Sequence, residues 1–113
     1  MADDIQANTT ELTCFEILAH VGTAKSAYIE AIDHARLGEF DAARKLMAEG
    51  DAEFHKGHEC HFAMLQKDAS GEQKAEFSLI LLHTEDQMAE AETLKTVATS
   101  FIGSYELLYE KLG

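Results

Sequence analysis

Residues 77–87 read Phe-Ser-Leu-Ile-Leu-Leu-His-Thr-Glu-Asp-Gln. A run of apolar side chains stops at an imidazole, and hydrogen-bonding groups follow it. On a helix, His83 shares a face with Asp86 at i, i+3 and with Gln87 at i, i+4; Leu79 lies one turn earlier on the same side. An imidazole at the edge of an apolar surface can exchange a proton, bind a metal or accept a group near neutral pH. The Asp86 carboxylate beside it favours the protonated ring and could fix its orientation. The plainer reading of the same residues is a partly buried helix histidine with ordinary polar neighbours.

A second cluster comprises His55, His58 and His61, with Glu59 and Cys60 among them. Imidazoles at i, i+3 can chelate zinc or another transition metal. Glu16 with His20, and Glu30 with His34, form two i, i+4 acid–histidine pairs that would extend such chemistry. The repeated Glu-x-x-His of carboxylate-bridged di-iron bundles is missing. Three histidines at steps of three also spread over a wide arc, so solvated or partly buried rings are the simpler reading. The cluster nevertheless defines an alternative function, a non-enzymatic metal-binding or helical interaction module. Cys14 and Cys60 form no Cys-x-x-Cys and read as small apolar fillers. No glycine-rich phosphate loop or serine nucleophile elbow occurs.

The elements that must position these groups are helical. Apolar residues recur at steps of three and four from about Thr10 to Leu37, from about Asp41 to Asp68, and from Ser70 to Leu112. Gly38 is a stop signal, and Asp41 a plausible N-cap with Phe40 stapled behind it. Ser70-Gly71-Glu72-Gln73 reads as a capping box opening the third helix. Gly50 and Gly57 weaken the second helix by up to about 1 kcal/mol each, which tertiary packing must offset. Proline is absent, which favours long helices. The 113 residues suit one domain: an all-α, three-helix, up-down-up antiparallel bundle over residues 9–113, with a flexible N-terminal tail at residues 1–8. Between Phe77 and Leu82 the third helix is apolar on more than one side. Self-association around that helix is the simplest way to bury it.

Nine basic against 21 acidic residues give a net charge of −12, the wrong sign for a nucleic-acid or anionic-membrane partner. Without a run of 18 apolar residues or a signal-like start, the expected address is cytoplasmic, with reduced thiols.

The stretch 78–87 resembles the active-site helix of the lactose/cellobiose-type enzyme IIA of the bacterial sugar phosphotransferase system. The likeness continues through Glu92-Thr93-Leu94-Lys95, which leans toward the lactose branch, and Tyr105-Glu106-Leu107-Leu108. Upstream, Ala27-Tyr28-Ile29-Glu30-Ala31 and Gly38-Glu39-Phe40-Asp41-Ala42-Ala43 look like the family's first helix and first turn. The resemblance thus spans about Phe15 to Leu112. It departs at Gln87 and Met88-Ala89, where the family often has histidine and Leu-Met, and at His61, where it often has glutamine.

The resemblance implies a homotrimer of three-helix bundles. It makes His83 the phosphorylated histidine, as tele-phosphohistidine, with Gln87 and Leu79 supporting it. It makes Asp86 the carboxylate that meets its symmetry mates at the trimer axis and binds a divalent cation, magnesium, one per trimer. The implied donor is the histidine-containing phosphocarrier protein. The implied acceptor is a cysteine of a sugar-specific IIB component, and contact with the membrane is only through the IIC permease. Three like carboxylates at one point repel, and a hard cation bound by oxygens removes that cost. The leucines before His83 would keep water from a phosphohistidine.

Overall fold

The computed structural model describes residues 2–75 and 77–113, with side chains from Thr9 onward. Three helices follow one another: α1 (Ala2–Arg36), α2 (Phe40–Ser70) and α3 (Leu79–Leu112). The backbone of α1 is helical from Ala2. The side chains of residues 2–8, where the sequence suggests a tail, lie outside the described residues. The helices form the expected up-down-up bundle, and no strand occurs among the described residues. Among the described residues, no helix is long and apolar enough to cross a membrane.

Packing is uneven. The backbone of α1 lies close against both other helices, whereas α2 and α3 stand further apart and meet mainly through long side chains. The molecule measures 65 × 20 × 19 Å, with a radius of gyration of 17.6 Å. A compact chain of this length would have about 13 Å. A rod this thin has little interior. Its buried positions are mostly small, including Ala24, Ala31, Ala35, Ala43, Ala91 and Ala98, and they let the helices approach closely. Cys14, Ile17, Val21, Met64 and Met88 form the larger cluster at one end. Tyr28 is fully buried mid-bundle and donates to Asp51 Oδ1 at 2.8 Å. Gly50 and Gly57 sit where α1 presses on α2. A Cβ at 57 would stand 3.2 Å from Val21 Cγ2. The glycines that cost helix propensity thus permit the contact that offsets the loss.

The turns depart from the sequence reading in two places. Gly38 does end α1, at φ 80°, and Glu39 N–H closes the turn on His34 O at 2.9 Å. But Glu39, not Asp41, occupies the N-cap of α2, with no side-chain cap bond. Phe40 is already helical and packs edge-to-face on Tyr109 at 5.4 Å. Nor does Ser70 start α3; it is the last residue of α2. Gly71 follows at φ 78°, in the left-handed region that suits glycine after a helix, and the N–H of Gln73 reaches back to Lys67 O. Ser78 is the true N-cap, its Oγ accepting from Leu81 N–H at 3.2 Å. α3 therefore begins with the first leucine of the run, Leu79.

Candidate phosphoryl-carrier site

The later start of α3 fixes the setting of His83. The ring stands in the second turn, close to the positive end of the helix dipole. Cα–Cβ bonds tilt toward a helix N-terminus, so the imidazole leans back over the turn that carries Leu79. Thr84, the next residue, is fully buried and donates to Ile80 O at 2.7 Å. That anchors this turn with Thr84 inward and His83 outward. His83 is exposed, and its ring makes no side-chain hydrogen bond among the described residues.

Asp86 does not orient the ring within this chain. It too is exposed, and no cation pairs with it among the described residues. Gln87 is half-buried and engaged elsewhere: its Oε1 accepts from Lys25 Nζ of α1 at 2.8 Å, and its Nε2 donates to Glu90 Oε2 at 3.2 Å. Lys25 also bonds Glu90 Oε1 at 2.5 Å. Lys25 holds the Glu90 carboxyl below its ordinary range, with a smaller push in the same direction from His83. Leu79 is 83% exposed and Leu82 48%, so within one chain they shield nothing. The drying expected of these leucines requires a second surface laid over them.

The His55, His58 and His61 cluster is dispersed. His55 Nε2 pairs with Glu59 at 2.9 Å, the His58 ring stacks on Phe54 at 6.3 Å, and His61 Nε2 reaches across to Glu85 of α3 at 2.7 Å. Steps of three carry the rings round the helix, and each finds its own neighbour. No group of three histidine, cysteine or acidic side chains suited to a metal exists among the described residues. The two acid–histidine pairs also dissolve: His20 bonds Glu53 of α2 and His34 bonds Glu39, each at 2.8 Å. Burial, and then the Glu16 carboxylate, push the Cys60 thiol up, which suits an inert filler.

A hard cation fits Asp86 only in part. Its carboxylate is an oxygen donor without an internal partner, set in an exposed row with Leu79, Leu82, Val97 and Phe101 along α3. One carboxylate is too few for a site, so any remaining ligands would have to come from other chains or water.

With this geometry in place, comparison with known proteins decides the family. Residues 12–106 match the model of the PTS system, Lactose/Cellobiose specific IIA subunit. The chain belongs to that family. It is similar to the lichenan-specific phosphotransferase enzyme IIA component of Bacillus subtilis, at 34% identity over 91% of this chain and 93% of that protein. It is also similar to the lactose-specific EIIA component of Streptococcus mutans, at 34% identity over 81% and 88%. Among solved structures, the cellobiose-specific enzyme IIA of Bacillus anthracis superposes with a TM-score of 0.87 at 30% identity, covering 91% of this chain and 94% of that one. The protein is thus a phosphotransferase-system IIA component of the lactose/cellobiose type.

Within this IIA bundle the sequence reading missed Lys25 altogether. It lies 62 positions from Gln87, and an isolated lysine in an amphipathic helix carries no local signal. The one hint is that its own helix neighbours at three and four positions, Val21, Gly22, Tyr28 and Ile29, are uncharged.

Proposed function

We propose that this IIA component carries a phosphoryl group on Nε2 of His83. It takes the group from the histidine-containing phosphocarrier protein and passes it to a cysteine of a sugar-specific IIB component, for uptake of lactose- or cellobiose-type sugars. The observation that supports this most is the exposed His83 ring in the second turn of α3, free of intrachain hydrogen bonds among the described residues, in a chain of this family.

The chemistry follows from the ring. A neutral imidazole offers the lone pair of one nitrogen, and its basicity lets the bond form and break near pH 7. On loading, the Nε2–P bond forms as the donor's P–N bond breaks, and the donor nitrogen recovers its electron pair. On unloading, the IIB thiolate forms a P–S bond and Nε2 recovers its own pair. The phosphoryl group adds nearly two negative charges to an already acidic chain. The dipole of α3, ending just before His83, opposes part of that charge.

The exposed row of Leu79, Leu82, Val97 and Phe101, with Ile29 of α1 beside it, calls for covering by other chains. In a homotrimer around α3, Leu79 and Leu82 would come under a neighbouring subunit and keep water from the phosphohistidine. Three Asp86 carboxylates would then converge, and a single magnesium among them would offset their repulsion. The cytoplasm is the compartment where donor and acceptor meet, and the membrane enters only through the IIC permease.

The relay assay is direct. The IIA chain, loaded from the phosphorylated donor and mixed with a IIB component, should lose one PO₃ unit as the IIB cysteine gains it. Retention of the group on IIA with every lactose- or cellobiose-type IIB would contradict the acceptor assignment.

A further inference from the structure

The row His83, Gln87 and Glu90 runs along one face of α3 at steps of four and three, and α1 sets one cation against it. Lys25 Nζ donates to Gln87 Oε1 at 2.8 Å and to Glu90 Oε1 at 2.5 Å. Its side chain is only 20% exposed, so the ammonium is held and not waving in solvent. Lys25 and Glu90 also line an open groove with Asp86 and Ile29 between α1 and α3. An ammonium has three donors, and two are assigned here. His83 lies one turn from Gln87 on the same face. The titratable groups of α3 on this side are thus Glu90, Asp86 and His83, and the helix neighbours of Lys25 are uncharged.

We propose that Lys25 is the resident cation for the phosphoryl group on His83, held by Glu90 and Gln87 until the group arrives and then donating its third N–H to a phosphoryl oxygen. This deepens, and rests on, the reading of His83 as the phosphorylated residue. Glu90 acts as the restraint: it keeps the ammonium from straying while His83 is bare and competes for it once phosphate is present. A charge-assisted bond of this kind, partly screened by solvent, favours the doubly charged phosphoryl form.

The test uses the whole protein, loaded from the phosphorylated donor and followed by ³¹P resonance across pH. In Lys25→Met the phosphoryl group should pass from its doubly to its singly charged form at higher pH than in wild type. The loaded fraction at equilibrium with the donor should fall by about three- to tenfold. Lys25→Arg should restore much of both, and Lys95→Met, the same charge loss at an ion pair with Asp51, should change neither. Glu90→Gln should move the titration the opposite way to Lys25→Met, although both break one ion pair. That gain should shrink in the double variant. A merely structural bridge would make both single variants alike, and that result would overturn the proposal. So would wild-type titration of Lys25→Met in a protein that circular dichroism shows folded. If Lys25→Met does not fold, Lys25→Arg titrating like wild type beside a shifted Glu90→Gln supports the proposal, and an unshifted Glu90→Gln overturns it. If wild type takes no phosphoryl group on His83, it is the functional reading that fails, separately from Lys25.

Discussion

The ring of Tyr28 fills the space in which a side chain at Gly50 would stand. A Cβ there would lie 2.7 Å from Tyr28 Cε1 and 2.9 Å from Cδ1, with Ala24 O at 3.3 Å behind. The ring is fully buried and tied to Asp51, so it has nowhere to move.

Gly50→Ala should therefore destabilise the protein, although alanine is the better helix former. Propensity favours alanine by about 1 kcal/mol, while overpacking costs about 1–3 kcal/mol. The expected net loss is up to about 2 kcal/mol, read as a lower thermal midpoint with unchanged helical content. A raised midpoint would show that α1 and α2 are not in such close contact there.

Tyr28 also sets an alkaline limit. Burial, and then the Asp51 acceptor, push its ionisation well above the ordinary tyrosine range. The unfolded chain loses this proton near pH 10 while the folded chain keeps it. The contribution is thus fully present below about pH 10 and is lost above it, at up to about 1.4 kcal/mol per pH unit. Denaturant midpoints between pH 9 and 11.5 should fall more steeply for wild type than for Tyr28→Phe. Equal slopes would remove Tyr28 as the cause.

Asp86 tests the assembly. Asp86→Leu replaces a carboxylate in the exposed row of Leu79, Leu82 and Val97 with an apolar group. In the proposed trimer, mutual repulsion disappears and apolar contact replaces it, so that assembly should persist or strengthen while the divalent cation proposed for it is lost. Light scattering and metal analysis read both. His58→Ala, whose ring merely stacks on Phe54, should leave the metal content unchanged. A monomeric Asp86→Leu, or metal lost on His58→Ala, would contradict this.

The three helices were legible because apolar residues recur at steps of three and four along most of each, and no proline breaks them. Their ends were less so. Ser-Gly at 70–71 fits a helix start and a helix stop equally well, and only the positive φ of Gly71 distinguishes them. Ser78 went unnoticed because the apolar run after it already looked like a helix interior. His83, Asp86 and Gln87 were visible as one face because i+3 and i+4 neighbours are local. The partners of Gln87, His20 and His61 were not, since Lys25, Glu53 and Glu85 come from other helices. Of the two acid–histidine pairs inferred from spacing, Glu16–His20 gives way to Glu53 of α2, and Glu30–His34 to Glu39 in the turn that follows α1.

The central claim is that His83 accepts and holds the phosphoryl group. The most direct measurement is intact mass after incubation with the phosphorylated histidine-containing phosphocarrier protein, comparing wild type with His83→Gln. Wild type should gain one acid-labile PO₃ per chain, mapped to Nε2 of His83, and His83→Gln should gain none. Labelling of His83→Gln to the same extent, or a wild type that is never labelled, would contradict it.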